Sequence, residues 1–414
     1  MPVPIRRREV EYIKFRPRNE PPPYDNVLYY DSETNDLLLV SEGVIRRVQA
    51  VKGYFGFDNS GGGVWRRYIH IPFARSIDEQ TSYRIVIDSN NVTVYDETKK
   101  AEASIAQDFW AYVKPDGSDI RVFDQAKQQL YFWIETFDYS NQYAVIWVNA
   151  LAGTSEINIA FDNEDAGPSQ YHDVSNVALF YEDFSSDPNT NGRWEVYRAK
   201  NDPSTEFVYD PANRRVYLTK AVDGRASIAF AKDLVLPDTF WITTYGGAGG
   251  GDGADGWAIS FFKDIQPYRD KGGCRDGHYL GLAARGPTQS RGYAVEFDSY
   301  WNRHIDPSSN HNALVETISS AEPRKHICYH NTRIANEDNK THKIDVVVGS
   351  SRVALYVDGV LHFDCQVVLD RTYRYLAVSA ATGGLNNNHW IEKLFAVFKV
   401  KDLTDIGSPR ILEF

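Results

Sequence analysis

The chain has 414 residues, of which 42% are hydrophobic and 24% charged, the composition of a folded protein rather than a disordered one. The formal net charge of -11 argues against nucleic-acid binding, and no apolar run approaches the roughly 20 residues of a membrane span. Abundant aromatic and turn-forming residues (26 Tyr, 21 Phe, 9 Trp, 29 Gly, 18 Pro) indicate an all-β protein, and the length predicts two or three domains.

Residues 1–50 are predicted to form an N-terminal attachment segment. The first twenty are rich in Arg and Pro and cannot bury enough apolar surface to fold alone. The apolar runs at 26–31 and 37–40 flank a polar turn, which predicts an extended hairpin. The stretch NVLYYDSETNDLLLVSEGVIRRV resembles a strand-turn-strand repeat of tail-fibre and other virion proteins. That resemblance implies a structural subunit that assembles with other subunits through this arm.

Residues 51–180 are predicted to form a smaller β-sandwich. Short runs typical of strands lie at 83–87, 91–95, 130–134 and 144–148, with turn residues between them. The stretches DGSDIRVF, YFWIE, AVIWV and INIAFDN follow in an order that resembles an uncharacterised extracellular β-module, which precedes concanavalin-like domains in microbial surface proteins. The Trp and Tyr residues of this unit are expected in its core.

Residues 181–414 are predicted to form a large two-sheet jelly roll without a long helix. Strand-like runs recur along this segment, and the Asp358-Gly359 pair between two of them is a strong hairpin signal. The three cysteines, Cys274, Cys328 and Cys365, have no metal-knuckle spacing. One disulfide with a free thiol and three reduced thiols are both open, and small buried side chains are the favoured interpretation.

A polar pattern within AVEFDSYWNRHIDPSSNH, residues 294–311, predicts a metal site. Alternate residues of a strand share a face, and an Asp-Pro turn and a His follow this strand. Oxygen ligands suit Ca²⁺, and a carboxylate-imidazole set suits a transition metal such as Mn²⁺. The alternative is a polar strand face that ends in an ordinary turn. The candidate ligands are Glu296, Asp298, Tyr300, Asn302, Asp306 and His311.

This segment resembles the double-metal loop of legume-type (L-type) lectins, which share the concanavalin A-like jelly roll. The family pattern Glu-x-Asp-x-aromatic-x-Asn, then Asp-Pro, then His, is complete here. The resemblance implies that Glu296 and His311 bind only the transition metal, and that Asp298 and Asp306 bridge both ions. It also implies that Ca²⁺ is bound by the Asn302 side chain. The Tyr300 backbone carbonyl is the remaining implied Ca²⁺ ligand.

Three further loops resemble the sugar-binding loops of the same family: GADGW with Asp255, GHYLGL with Gly277, and SAATGGL with Gly384. The alternative for Asp255 is a flexible turn in a Gly-rich run. His278 stands where many family members have Gly, which implies a narrower pocket. Trp257 and Trp301 are candidates both for sugar stacking and for the core. The implied carbohydrate-binding residues are Asp255, Gly277, His278, Tyr300, Asn302, Gly384 and Leu385.

The sequence therefore predicts a metal-dependent carbohydrate-binding protein that is not an enzyme. A related glucanase pattern, Glu-x-Asp-x-x-Glu, would need a carboxylate where Trp301 stands. The expected partners are cell-surface glycans and other structural subunits, in a homo-oligomer. The expected location is the virion surface, because the basic N-terminus is not followed by the apolar core of a secretory signal, and the alternative is an extracellular or cell-surface lectin. A structural protein with a degenerate lectin fold is the second hypothesis, and a glycan hydrolase is less favoured.

Overall fold

The computed structural model describes residues 63–73, 75–94, 103–286, 291–317 and 324–401, together with the backbones of four strands outside these ranges. The strands are β1 Val27–Asp31, β2 Asp36–Ser41, β3 Val44–Val48, β4 Arg67–Pro72, β5 Thr81–Ile87, β6 Val92–Val94, β7 Arg121–Phe123, β8 Phe132–Asp138, β9 Tyr143–Ala150, β10 Glu156–Phe161, β11 Phe180–Glu182, β12 Trp194–Arg198, β13 Glu206–Asp210, β14 Arg215–Thr219, β15 Ala226–Ala231, β16 Phe240–Gly249, β17 Gly256–Phe262, β18 Gly292–Asp298, β19 His311–Thr317, β20 Lys325–Asn331, β21 His342–Val348, β22 Arg352–Val357, β23 Val360–Gln366, β24 Tyr375–Ala381, β25 Asn388–Lys399 and β26 Arg410–Glu413. The helices are α1 Ala103–Tyr112 and α2 Gln266–Lys271, and single 3₁₀ turns lie at Val174–Asn176 and Gly277–Tyr279.

The N-terminal strands form an antiparallel meander. Strand β1 pairs with β2, with Leu28 opposite Leu39, which confirms the predicted hairpin. Strand β2 then pairs with β3, so the hairpin gains a third strand that the sequence did not predict. The Arg- and Pro-rich arm at residues 1–20 lies outside the described residues.

The smaller sandwich consists of two four-stranded sheets. Their strand orders are β26-β4-β10-β7 and β6-β5-β9-β8. Helix α1, which the sequence analysis did not predict, packs Phe109 and Trp110 into the same apolar core. The apolar residues of α1 recur at intervals of four (Ile105 and Phe109, Ala106 and Trp110), the spacing that gives a helix one buried face.

The last strand corrects the predicted range of the larger unit. Residues 410–413 pair with β4, with Ile411 opposite Ile69. The chain therefore returns from the larger sandwich to the smaller one, and residues 181–414 do not form one unit. The sequence analysis missed this pairing because its partner lies more than 300 residues away, beyond the reach of local patterns.

The larger sandwich is built from two antiparallel sheets. One has the order β13-β14-β25-β16-β21-β22-β23, with β11 paired to β25, and the other has the order β12-β15-β24-β17-β18-β19-β20. Their facing side chains form one buried apolar core that includes Phe207, Ile242, Phe261 and Phe395. The predicted all-β class, a large two-sheet sandwich preceded by a smaller one, is confirmed.

The two sandwiches share a core. Trp147 of β9 stacks on Phe398 of β25, with ring centroids 3.8 Å apart, and meets the edge of Trp241 of β16 at 5.7 Å. Trp147 also donates its indole N–H to Glu135 Oε2 at 2.8 Å, and Glu135 forms an ion pair with Lys343 of the larger sandwich. The two units are therefore not separate, because the outer face of the larger sandwich is apolar here and is covered by the smaller one.

A disulfide joins the two sheets of the larger sandwich at their edges. Cys328 of β20 pairs with Cys365 of β23, with Cα atoms 6.1 Å apart, whereas Cys274 is a buried free thiol. The favoured interpretation of three small buried thiols is thus wrong for the first two residues and right for Cys274. Each paired cysteine lies on a strand at the end of its sheet order.

Loss of this disulfide is expected to destabilise the protein by about 3–4 kcal/mol, because the bond closes a loop with a sequence separation of 37. The measurement is urea unfolding of the wild type and Cys365→Ser, each with and without reductant. Reductant should lower the free energy of unfolding of the wild type and leave the variant unchanged. Equal sensitivity of both proteins to reductant would contradict the pairing.

His389, at the start of β25, predicts loss of stability in acid. Its side chain is buried, its Nδ1 lies 2.7 Å from Thr219 Oγ1, and burial lowers its pKa to about 3. Below about pH 6.5 the imidazole is protonated in the unfolded chain but stays neutral in the folded protein. The free energy of unfolding therefore falls between about pH 6.5 and pH 3, by up to about 1.4 kcal/mol per pH unit.

The measurement is urea unfolding of the wild type and His389→Gln at pH 7, 6, 5 and 4. The variant should lose less stability per pH unit in this range, and His304→Gln, at an exposed site, is the matched control. Parallel stability curves for the wild type and His389→Gln would contradict the assignment.

Candidate functional site

Strand β18 carries the buried carboxylates of the site. It lies between β17 and β19, with Asp298 opposite Gly256 on one side and His311 on the other. Alternation places Phe297 in the core, stacked on Trp257 at 4.0 Å, and leaves Glu296 and Asp298 on the opposite face. Both acidic side chains are fully buried. The strand ends at Asp298, so the following predicted ligands lie in a loop rather than on the strand face.

Arg324, which precedes β20, occupies the centre of the carboxylate cluster. Its Nη1 lies 2.9 Å from Glu296 Oε2 and 2.9 Å from Asp298 Oδ2, and its Nη2 lies 2.7 Å from Asp306 Oδ1. The guanidinium is completely buried. Three of the predicted metal ligands therefore converge, and an internal cation contacts all three.

Two histidines meet the remaining oxygen of Glu296. His326 Nε2 lies 2.7 Å from Glu296 Oε1, His311 Nε2 lies 3.2 Å from the same oxygen, and the two Nε2 atoms are 3.2 Å apart. The opposite ring nitrogen of His311, Nδ1, lies 3.0 Å from the carbonyl oxygen of Ser308. Glu296 Oε1 and the two Nε2 atoms thus form a triangle with the spacing of ligands around one metal ion.

The electrostatics of the cluster reflect burial and the central arginine. Burial raises the pKa of Asp298 well above its usual value, and it also raises the pKa of Asp306, despite the opposing effect of Arg324. Burial disfavours the charged form of Glu296 too, but Arg324 and the two imidazoles hold its pKa below the usual range. The pKa of His311 is raised, because Glu296 outweighs the opposing effect of burial.

The loop between Asp298 and Asp306 presents a further ligand atom. Asp298 Oδ1 accepts the Tyr300 N–H at 2.9 Å, and Asp306 Oδ2 accepts the Asn302 N–H at 2.7 Å. Asn302 Oδ1 is buried without a hydrogen-bond partner in the described residues. A buried carbonyl oxygen without a donor suits Ca²⁺, so the donor set fits the predicted calcium ion. In the observed arrangement, however, Arg324 contacts the Asp298 and Asp306 oxygens that this ion would need.

Asp255 lies at the base of a second polar site, next to the carboxylate cluster. Its peptide bond to Ala254 is cis, its N–H donates to Ala381 O at 3.0 Å, and its carbonyl accepts the Ser299 N–H at 2.8 Å. Its side-chain Oδ2 is buried and has no hydrogen-bond partner among the described residues. Burial raises the pKa of Asp255 to about 7. Within the part of the chain that the structure describes, Asp255 Oδ2 is thus a buried oxygen without a protein hydrogen-bond partner.

Gly383 packs against this carboxylate and leaves no room for a side chain there. A Cβ atom on Gly383 would lie 2.8 Å from Asp255 Oδ2 and 3.4 Å from the Gly277 Cα. The Gly277 N–H donates to Thr382 O at 2.9 Å, which holds the two loops together and also uses the donor that the resemblance assigned to a sugar. Asp255, Gly277 and Gly383 therefore lie next to one another.

The other predicted sugar-binding residues lie in the same loops as Gly277, Ser299 and Gly383. Tyr300 is 40% exposed and Leu385 is 38% exposed, and a Cβ on Gly384 would meet open space. His278 is half-buried beside Tyr279, and burial lowers its pKa. No hydrogen bond between any of these side chains and Asp255 is present in the described residues, so their role in binding stays a prediction.

The two tryptophan candidates have different environments. Trp257 is fully buried against Phe297 and donates its N–H to Ala335 O, so it is a core residue and cannot stack on a ligand. Trp301 is 48% exposed, so its ring remains a candidate for stacking on a sugar. The structure thus separates two residues that the sequence could not distinguish.

Arg324, His326 and the role of Gly383 were not predicted from the sequence. Arg324 and His326 are two residues apart, the spacing that places side chains on one face of a strand, and this was the available signal. This spacing could not be interpreted from the sequence alone, because an Arg-x-His pair is common. Only the pairing of β19 with β20 brings the two residues to the carboxylate cluster.

Comparisons with known proteins add a family match and a set of similar structures. A family model described as a domain of unknown function (DUF2341) matches residues 116–197, from the turn before β7 to β12. This match agrees with the predicted resemblance of the middle segment to an uncharacterised module. No curated protein matches the sequence.

The similar solved structures are lectin domains. The exoplasmic/lumenal domain of VIP36, in its Ca²⁺/Man3GlcNAc-bound form, is 16% identical, with a TM-score of 0.39, 50% coverage of this chain and 85% of that chain. A Bauhinia forficata lectin in complex with GalNAc is 19% identical, with a TM-score of 0.41 and coverage of 53% and 98%. The metal-free carbohydrate recognition domain of Emp46p is 11% identical, with a TM-score of 0.39 and coverage of 53% and 99%. At these values the likeness assigns no activity to the present chain.

Proposed function

We propose that this chain is a carbohydrate-binding protein and that sugar binding centres on Asp255. The observation that carries the proposal is the buried Asp255 Oδ2, which has no hydrogen-bond partner in the described residues and lies against Gly383, where a Cβ atom would come within 2.8 Å of it. A buried acceptor without a partner costs about 1–3 kcal/mol, which a ligand hydroxyl group recovers when it donates to that oxygen. The complete lectin-type motif at residues 296–311 supports the same function.

The Asp255 carboxylate and the exposed aromatic rings near it in the chain suit a neutral sugar with adjacent hydroxyl groups. A carboxylate accepts hydrogen bonds from two hydroxyls at once, and the exposed rings of Tyr300 and Trp301 offer apolar faces for a sugar ring. A sugar bound at these loops must surrender water and rotamer freedom, so a single site should bind weakly. Several copies in a homo-oligomer would supply avidity for a glycan-covered surface.

The proposed cofactors are a calcium ion and a transition metal at the carboxylate cluster. Asn302 Oδ1 and the oxygens of Asp298 and Asp306 would hold Ca²⁺, and Glu296 and His311 would hold the transition metal. Bound cations would offset the mutual repulsion of the buried carboxylates and fix the loop at 299–306. Ser299 donates both its N–H and its hydroxyl to the Asp255 carbonyl, so this loop directly supports the proposed acceptor.

Binding is favoured over glycan hydrolysis. Glu296 and Asp298 are fully buried and both contact Arg324, so neither can deliver a proton to a glycosidic oxygen. The position that the glucanase pattern reserves for an acid is Trp301. A purely structural protein with a lectin-like fold is the second candidate, and it would leave the Asp255 acceptor without a function.

We propose that the protein is located in an oxidising environment. The chain has a Cys328–Cys365 disulfide, and disulfides persist in secreted proteins and on virion and cell surfaces. Assembly of a virion appendage through the N-terminal arm stays a prediction. Within the described residues, no helix has the length and apolar character that crossing a bilayer requires.

The test is a glycan array probed with the wild type and Gly383→Ala. An Ala side chain at this position would displace the Asp255 carboxylate without straining the backbone, whose φ lies outside the left-handed region. The wild type should bind a defined set of glycans, and the variant should lose them while it keeps its melting temperature. A wild-type protein that binds no glycan, in multivalent form and with Ca²⁺ and Mn²⁺ present, would refute the proposal.

A further inference from the structure

Two Asn-x-Thr motifs of the chain remain outside the proposed function. They begin at Asn91 and Asn339, and neither has proline at its middle position. In exported proteins this motif is the acceptor for N-linked oligosaccharides and belongs to surface loops. The Cys328–Cys365 disulfide supports export, since such bonds form and persist in oxidising compartments. What separates the two motifs is how the fold presents their asparagines.

Asn339 lies on an exposed turn between β20 and β21. Its side chain is exposed and makes no hydrogen bond to another described residue. The backbone has a φ of 57°, a left-handed conformation that Asn adopts more readily than most other residues. Its N–H donates to the Ala248 carbonyl at 2.9 Å, so the turn is fixed while the side-chain amide stays accessible. The folded chain can therefore carry an oligosaccharide at this position without rearrangement.

Asn91 has a different environment. It closes the tight turn between β5 and β6, and its N–H donates to Asp88 Oδ1 at 2.7 Å. Its side chain is half-buried, and its Nδ2 lies 3.4 Å from the same oxygen. The two strands pair directly across this turn, with Ile87 opposite Val92, and contacts between residues so close in sequence form early in folding. The turn therefore holds the Asn91 amide against Asp88 and makes it a poor acceptor.

We propose that Asn339 is an N-glycosylation site and that its oligosaccharide lies beside the proposed sugar site. The donor is an oligosaccharide linked to a lipid through a diphosphate. Asn339 Nδ2 forms a bond to the anomeric carbon of the donor, the bond from that carbon to the diphosphate breaks, and the proton that leaves Nδ2 passes to the transferase. The transfer needs no oxidant or reductant.

The position of Asn339 places this modification next to the glycine-rich loop at residues 249–253. A Cβ atom on Gly249 would lie 2.7 Å from the Asn339 Cα, so the asparagine packs directly on that loop. The loop donates two N–H groups to the Asn386 carbonyl and leads into Asp255. A bulky oligosaccharide that begins here restricts access to Asp255, an effect that rests on the proposed function.

The test of the modification site is the intact mass of the full-length chain, secreted from cultured animal cells with an added export signal. The wild type should carry an oligosaccharide, and its enzymatic release should convert Asn339 to aspartate, which peptide mapping locates. Asn339→Gln should lose the added mass. Thr341→Ala should lose it too while the asparagine stays in its turn, whereas Thr341→Ser should keep it, because serine retains the hydroxyl that the motif requires.

Asn91→Gln is the matched control and should leave the added mass unchanged. An unmodified wild type, or no loss of mass in Asn339→Gln and Thr341→Ala, would overturn the site. Loss of added mass in Asn91→Gln would overturn the distinction between the two motifs.

The effect on access is measured on the wild type before and after enzymatic release of the oligosaccharide, with Thr341→Ala treated in the same way as the control. Release should raise the affinity for a bound glycan at least about twofold, the change expected if the oligosaccharide blocks the site half of the time. Equal affinities would overturn the effect on access and leave the modification site in place. If no form binds glycans, the proposed function and the effect on access both fail, and the mass measurement still decides the site.

Discussion

Asp255→Ala is expected to abolish glycan binding while the free energy of unfolding stays the same or rises. Two sugar hydroxyls would donate to the ionised form of the carboxylate, which such donors favour over the neutral form, and each hydrogen bond would then contribute about 1.5–3 kcal/mol, so affinity should fall at least about 100-fold. Stability should not fall, since Oδ2 has no protein partner among the described residues and burial already disfavours its charged form. Titration calorimetry with a glycan that the wild type binds, and urea unfolding, measure the two effects.

The matched control is Asp238→Ala, which removes the same side chain from an exposed turn before β16. This variant should keep both glycan affinity and stability. If Asp255→Ala keeps its affinity, the sugar site lies elsewhere. A large loss of stability in Asp255→Ala would instead assign the carboxylate a structural role.

Trp147→Ala is expected to lose about 3–5 kcal/mol of stability and to uncouple the unfolding of the two sandwiches. The indole is fully buried, stacks on Phe398 and meets Trp241, both in the larger unit, so its removal leaves a cavity in the shared core. The wild type should unfold in one transition, because exposure of the apolar face around Trp147 would destabilise either sandwich on its own. Calorimetry of the variant should show a lower melting temperature and two resolved transitions.

Tyr143→Ala, on the same strand, is the control for this prediction. Tyr143 is 39% exposed, so its loss should change stability by less than about 1 kcal/mol and preserve the single transition. Two transitions in the wild type, or an effect of Trp147→Ala no larger than that of the control, would show that the sandwiches fold independently.

The long strand β25 connects the shared core to the proposed sugar site. Its last residues include Phe398, which contacts Trp147, and its first residues follow the loop that contains Gly383. Asn386, in that loop, accepts the N–H groups of Asp252 and Gly253, just before Asp255. The smaller sandwich thus supports the strand whose opposite end holds the loops of the proposed sugar site, which gives those loops a rigid base.

Features that depend on neighbouring residues could be predicted from the amino-acid order. The alternation within residues 292–298 is visible in the chain, because a strand with one apolar and one polar face must place its side chains in that order. The hairpin of β1 and β2 and the all-β class follow from the same local rules. Residues such as Glu296, Asp298 and Asp306 could be named in advance because the motif that contains them is short.

The distant residues that complete the site and close the fold are brought together by tertiary packing and could not be predicted. Arg324 and His326 reach the cluster through the pairing of β19 with β20, Cys328 meets Cys365 across two sheets, and residues 410–413 return to β4. Each of these contacts joins residues whose own neighbours give no signal of a partner. The physical reason is that the charge balance of a buried site depends on every group that packing brings within a few ångströms, and sequence order does not encode that distance.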